Sequence, residues 1–385
     1  MARTYRLASG DSHLQVPADF WTDRVPEPYR ELAPKRVKLP TGGQAIVAVD
    51  GSSYFGATGS YAGHTPEDFD PMTAFDYEET VGAGPPDQRL REQDQDGVDG
   101  ELLFPGSSAT HGIRVKDNAA YLAMVRAYNE YLADYCAAAP DRLWGVGMLP
   151  AGEIDLKIAE LRRMKQLGLR AAGLNGYPAG EPYPTPEDDP FWSAAIDLQI
   201  PLCIHTSMSR GSGPVFKYPR QPEGWNAEDD FINRLYRHAN ASRSGSLTAC
   251  QMVFAGLWDR FPSLKIYCAE NNIGWIPFYL EQMDSEYEKN HFWAERHFGI
   301  ARLEQRPSEY IKEHTYWGFY DDPIGIKLRH EIGVDHVMWG SDFPHVVTYW
   351  PKSRELLDKQ MAGVPADERR KMESDNILGF LGIDH

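Results

Sequence analysis

The feature that most constrains this 385-residue chain is a regular alternation of two kinds of segment. Eight short apolar runs recur: YRLASGDSH (5–13), VDGELLFPG (98–106), LWGVGMLP (143–150), LRAAGLN (169–175), PLCIHTS (201–207), KIYCAE (265–270), TYWGFY (315–320) and DHVMWGSDFPH (335–345). Each holds about four to eight β-compatible residues and closes on Gly, Pro or a polar residue. Between the runs lie amphipathic stretches. Residues 118–138 stop just before Pro140, and residues 153–167 place Ile154, Ile158, Leu161, Met164 and Leu167 near the helical repeat. Helices are also predicted over 187–198, 246–260, 276–289, 323–331, 351–361 and 366–380. Eight strands alternating with eight helices is the count of an α/β (β/α)8 TIM barrel, expected here as one domain over residues 1–385. A doubly wound open sheet is the weaker alternative, because no G-x-G-x-x-G follows any run. Two segments break the rhythm: an insertion of about 16–96 after strand one, with a hairpin-like QAIVAVDGSSYFG, and another of about 208–245 after strand five. Long connections at one end of a barrel usually line or lid an active site.

Composition removes several function classes. The 39 basic and 56 acidic residues leave a net charge of −17, which repels phosphate backbones and anionic lipid, so nucleic acid is not an expected partner. No run approaches the ~18 consecutive apolar residues of a membrane span. The four cysteines are scattered without a C-x-x-C pair, which speaks against thiolate zinc and dithiol redox chemistry and for reduced thiols. The first residues lack the apolar core of a signal peptide, so a cytoplasmic location is expected. Aromatics make up 12% of the chain, more than a core requires, and hint at an aromatic-lined pocket.

The candidate chemistry lies where the runs end, since the C-terminal ends of barrel strands surround the active site. Asp11 and His13 stand two apart on strand one, so strand alternation puts both on one side. His205 ends strand five, Glu270 ends strand six and Asp342 ends strand eight. Any one of these is weak: an Asp after a strand is commonly a cap or turn former, and a lone His is commonly structural. Their conjunction at one barrel mouth suits one divalent ion, Zn2+ first and Mn2+ second, with a position open for water or substrate. Two carboxylates, Asp11 and Asp342, two imidazoles, His13 and His205, and a further Glu, Glu270, are the groups that point into that mouth. Glu270 is expected either as a second acid/base or as a partner orienting His205 or His13. His345, three residues after Asp342, is a substrate-binding or supporting candidate. Asn175 ends strand four and is a hydrogen-bonding candidate. His64 and His111, in the loops after strands one and two, either reach the mouth or are solvated. Arg210 and Arg243 flank the loop after strand five and either pair with a substrate carboxylate or lie on the surface. Trp317 and Trp339 read as barrel packing, and the basic clusters at 162–165 and 368–371 as solvated helix faces.

The stretches DSHLQVP, YNEYLADYCAAAPDRLWGVGMLP, IHTS, AENNIGWIPFYLEQMD and above all MWGSDFPHVVTYWPKSRE resemble the amidohydrolase-related branch of the amidohydrolase superfamily. That branch holds metal-dependent hydrolases and the aminocarboxymuconate-semialdehyde, resorcylate and carboxyvanillate decarboxylases. The resemblance runs from about residue 5 to residue 383, with the G-S-D-F-P-H block its most specific part. It implies that the strand-one ligand pair falls on Asp11 and His13, the strand-five ligand on His205, and the strand-eight ligand and proton shuttle on Asp342. Where many of the decarboxylases carry a catalytic His on strand six, this chain has Glu270. That departure tilts the expectation toward a metal-dependent hydrolase acting on a small cyclic or aromatic compound. The alternative is a nonoxidative decarboxylase of a hydroxyaromatic or related acid, and a non-catalytic ligand-binding barrel comes third. The resemblance also implies a homodimer, for which residues 281–298 offer an aromatic and acidic contact face.

Overall fold

The computed structural model describes residues 3–17, 20–40, 44–51, 53–54, 60–65, 67, 80–112, 115–205, 245–298 and 301–384. All eight runs form strands: β1 (Ala8–Leu14), β2 (Gly100–Pro105), β3 (Leu143–Met148), β4 (Ala171–Gly173), β5 (Leu202–His205), β6 (Ile266–Ala269), β7 (Thr315–Phe319) and β8 (Val337–Trp339). They pair in parallel in sequence order. The seam between first and last strands is closed by a parallel bridge, Ser12 to Phe343, and by His13 N donating to Phe343 O at 2.7 Å. This is a (β/α)8 barrel.

The strands are apolar on both faces because both are covered. Inward residues such as Leu102, Trp144, Ala171, Cys203, Tyr267 and Met338 fill the barrel, and Ile377, Leu378 and Phe380 of the C-terminal helix pack among them. Outward residues, including Leu103, Leu202, Ile204, Trp317 and Trp339, meet the surrounding helices. The helix predicted over 118–138 is Asn118–Ala137, started by the Asp117 carboxylate, which accepts from Ala119 N and Ala120 N. The next is Ile154–Leu167, stopped by Gly168 at φ 80°. The stretch predicted over 323–331 is broken at Leu328 into Pro323–Lys327 and Arg329–Ile332. The one predicted over 276–289 continues to Phe298.

The described part of the insertion after β1 has secondary structure of its own. It carries a three-stranded antiparallel sheet of Lys35–Lys38, Gln44–Val47 and Ser53–Tyr54, which includes the expected hairpin. It also carries a helix, Pro86–Asp96, that periodicity misses because its buried face is polar: Arg89, Glu92, Gln93 and Asp96. Its described part braces the loop after β8. Tyr61 N and Ala62 N donate to Pro344 O at 2.7 and 3.0 Å, Trp350 Nε1 donates to Glu92 O at 2.9 Å, and Ser353 Oγ donates to Asp96 Oδ2 at 2.6 Å. The expected insertion over 208–245, with Arg210 and Arg243, lies outside the described residues apart from Gly245. No described helix is long and apolar enough to cross a membrane.

Candidate active site

The barrel seam brings the chemistry together. Asp342 N donates to Asp11 O at 2.9 Å, which fixes a residue three beyond the end of β8 against the middle of β1. The register of β1 on β2 is irregular between Ser9 and Ser12, a device that re-aims side chains. Three serines stand behind the site: Ser9 Oγ lies 3.2 Å from Ser12 Oγ and 3.1 Å from Ser341 Oγ. Asp342 and Glu270 both adopt left-handed backbone, at φ 50° and 57°. Non-glycine residues held there cost about 1–3 kcal/mol each and cluster at functional sites.

One donor atom from each of Asp11, His13, His205 and Asp342 lies within 4.8 Å of the others. His13 Nε2 is 3.0 Å from Asp342 Oδ1 and 3.1 Å from His205 Nε2. Asp11 Oδ1 stands 3.6 Å from both imidazoles, too far to bond either, and is buried with no hydrogen-bond partner among the described residues. A buried carboxylate oxygen without a partner, facing two imidazole nitrogens and a second carboxylate, fits a divalent cation. Glu270, Asp342 and His345 form a second set within the same reach. His205 Nδ1 is 3.8 Å from Glu270 Oε2, and His345 Nδ1 is 2.8 Å from Asp342 Oδ1. The His345 ring stacks on that of His13 at 3.8 Å, and its Nε2 is buried without a protein partner among the described residues.

The electrostatics of the metal-free cluster pull its groups apart. Burial and then the Asp342 carboxylate push the Glu270 carboxyl well above the usual carboxylate range. Burial acts upward on Asp342 too, but the imidazoles of His345 and His13 outweigh it and hold that group well below the range. Burial and the neighbouring His345 lower His13 to about 4. For His205 burial is outweighed by the Asp11 and Glu270 carboxylates, which raise it to about 9.

A cavity of about 220 Å3 opens beside the cluster. His13, His205 and His345 form its polar wall, and Phe104, Met148 and Leu174 are among its apolar lining. A dry cavity of ~150 Å3 already holds benzene, so a single substituted ring is the right size. Asn175 also lines the cavity. His64 sits on an exposed turn, its ring 5.1 Å from Tyr61, and is not among the lining residues. His111 belongs to the short helix Ser107–Gly112 after β2, and its side chain lies outside what is described. Sequence reasoning overlooked Phe104, whose ring is 5.0 Å from His205, although alternation along β2 from the inward Leu102 points it to the mouth.

Comparison with known proteins follows the same lines. A family model described as Amidohydrolase matches residues 11–383. The gamma-resorcylate decarboxylase of Rhodococcus jostii is 26% identical over 273 residues, which is 67% of this chain and 77% of that protein. An amidohydrolase structure from Mycobacterium avium subsp. paratuberculosis has a TM-score of 0.72 at 18% identity, covering 99% of this chain and 100% of its own. The structure of a dihydroxybenzoic acid decarboxylase from Polaromonas, with bound manganese and the inhibitor 2-nitroresorcinol, has a TM-score of 0.59 at 18% identity, covering 98% and 97%. With a family match over nearly its whole length and the barrel that goes with it, this chain belongs to the amidohydrolase family.

Proposed function

We propose that this protein is a metal-dependent carboxy-lyase that decarboxylates a small hydroxyaromatic acid without an oxidant, acting as one catalytic domain. The observation that carries the reading is the convergence of Asp11, His13, His205 and Asp342 on one point beside a ring-sized cavity. Resemblance to the gamma-resorcylate decarboxylase favours this reaction over the hydrolysis that Glu270 suggested from sequence. Two carboxylates and two imidazoles suit Mn2+ and Zn2+ alike, and the manganese in the Polaromonas relative favours Mn2+. A divalent ion held by these four residues would supply Lewis acidity toward substrate oxygens.

The chain's own residues do the rest. Phe104, Met148 and Leu174 give the ring an apolar wall, and His345, its Nδ1 held by Asp342, offers Nε2 to a substrate oxygen. Glu270, whose carboxyl is pushed upward by burial and then by the Asp342 carboxylate, is the proton reservoir. Asp342, in reach of Glu270, relays that proton to the ring carbon bearing the carboxylate. The C–C bond then breaks, CO2 departs, and the electron pair returns to the ring. Two carboxyl groups whose environments drive their proton affinities apart are the usual sign of such a division of labour. The buried Cys136, Cys203 and Cys268 and the exposed Phe278 and Phe292 on Ile276–Phe298 support a cytoplasmic homodimer.

The deciding experiment incubates manganese-loaded protein with hydroxybenzoates and, separately, with aryl lactones, esters and amides. Release of CO2 from a hydroxybenzoate is the expected result. Turnover confined to the lactone, ester or amide panel returns the reading to hydrolysis.

A further inference from the structure

Helix Pro86–Asp96 belongs to the insertion rather than to the barrel repeat, yet it sends one side chain to the seam. Arg89 is 1% exposed. Its guanidinium forks onto Glu101 of β2, with Nε bonded to Oε1 and Nη2 donating to Oε2 at 3.1 Å. The remaining donors go to two backbone carbonyls: Nη1 to His13 O at 3.2 Å and, more weakly, Nη2 to Phe343 O at 3.5 Å. The Phe343 ring lies 4.4 Å from the guanidinium carbon. These carbonyls belong to a cluster residue on β1 and to the residue that follows Asp342. One planar cation therefore ties together the backbones that carry His13 and Asp342.

We propose that Arg89 is a positioning residue that holds His13 and Asp342 at their metal-binding separation, an assignment that rests on the metal reading above. Only Arg supplies five donors in a fixed fork, so it can satisfy a carboxylate and two carbonyls at once. A buried ion pair is a poor source of stability, because desolvating both charges offsets their attraction and well-packed apolar residues often do as well. What the apolar replacement lacks is the grip on the two carbonyls. The helix that carries Arg89 is itself hydrogen-bonded to the segment after β8 through Trp350 and Ser353.

The test compares full-length wild type with R89M/E101L and R89K, each stripped with EDTA and titrated with Mn2+ by calorimetry. Melting temperatures of the stripped proteins and the Mn2+ electron paramagnetic resonance spectra are recorded alongside. The double variant removes both charges of the fork together, so neither is left buried without its partner. It is expected to melt within a few degrees of wild type, to bind Mn2+ about 10–100-fold more weakly, the usual cost of losing a residue that orients ligands, and to give an altered spectrum. R89K keeps the charge beside Glu101 but not the fork, and is expected to fall between the two. Folded R89M/E101L with wild-type affinity and spectrum overturns the assignment. If that variant does not fold, R89K decides, and wild-type affinity there overturns it equally. Wild type that takes up no Mn2+ at all instead sinks the metal reading, and this assignment with it.

Discussion

The backbone N–H of Asp342 donates to the backbone carbonyl of Asp11 at 2.9 Å, so the two acidic residues of the cluster are neighbours only because the last strand closes on the first. Barrel closure and assembly of the site are one event, and perturbing either is expected to disturb the other.

Asp342→Asn tests the proposed acidic ligand with little effect on the fold. Asn tolerates the left-handed backbone that residue 342 adopts at φ 50°, and it preserves the side-chain shape. Loss of a residue that merely orients a ligand costs about 10–100-fold in metal affinity, so loss of a charged ligand should cost at least about a hundredfold. Metal content by mass spectrometry together with a thermal melt checks this. Full metal occupancy in the variant would remove Asp342 from the ligand set.

The pH dependence carries two opposite signs. In the metal-free protein His205 is raised from 6.5 to about 9, mainly by Asp11 and Glu270 working against burial. Its contribution to stability is therefore fully present below pH ~6.5 and lost as pH rises through ~9. Glu270, also raised, adds the same sign. On the proposed ligand set metal must displace the His205 proton, so Mn2+ affinity should climb by up to about tenfold per pH unit over the same window. Melting curves in EDTA should fall between pH 6.5 and 9 while calorimetric affinities rise. Parallel slopes would show that His205 is not the titrating group.

The barrel itself was legible because its strands are apolar on both faces and its helices on one, and burial imposes those periods on the sequence. Asp11, His13, His205, Glu270 and Asp342 could be read as a group because a single architecture explains where all five stand. Helix Pro86–Asp96 was illegible for the converse reason: its buried face makes polar contacts, to Glu101, to Ser353 and to backbone carbonyls, so no hydrophobic period marks it. The role of the first insertion was equally hidden, since its grip on Pro344 is made by the backbone N–H groups of Tyr61 and Ala62, which leave no side-chain signature.

Glu270→Gln separates proton handling from metal binding. The amide keeps the size of the side chain but cannot act as an acid, and no donor atom of Glu270 belongs to the four-residue set. Removing a general acid costs typically about 10²–10⁴-fold in rate. Turnover should fall by that factor while one metal per chain is retained. A variant with unimpaired turnover would leave Glu270 as a support for His205 and nothing more.

Gly340→Ala probes the seam from the other side. A Cβ on residue 340 would stand 2.6 Å from the Asp11 Cβ and 3.1 Å from its backbone nitrogen, and the latter cannot swing away. Overpacking of this kind costs about 1–3 kcal/mol, and here the strain falls on a residue of the metal cluster. The variant should therefore lose both melting temperature and Mn2+ affinity. Gly379→Ala is the matched control: it lies in helix Asn376–Leu381 with nothing within 4 Å of an added Cβ. Alanine in a helix is favoured over glycine by up to about 1 kcal/mol, so that variant should melt at or slightly above wild type with unchanged metal affinity. If both glycine variants lose stability but neither loses affinity, the seam holds the barrel together without setting the position of Asp11.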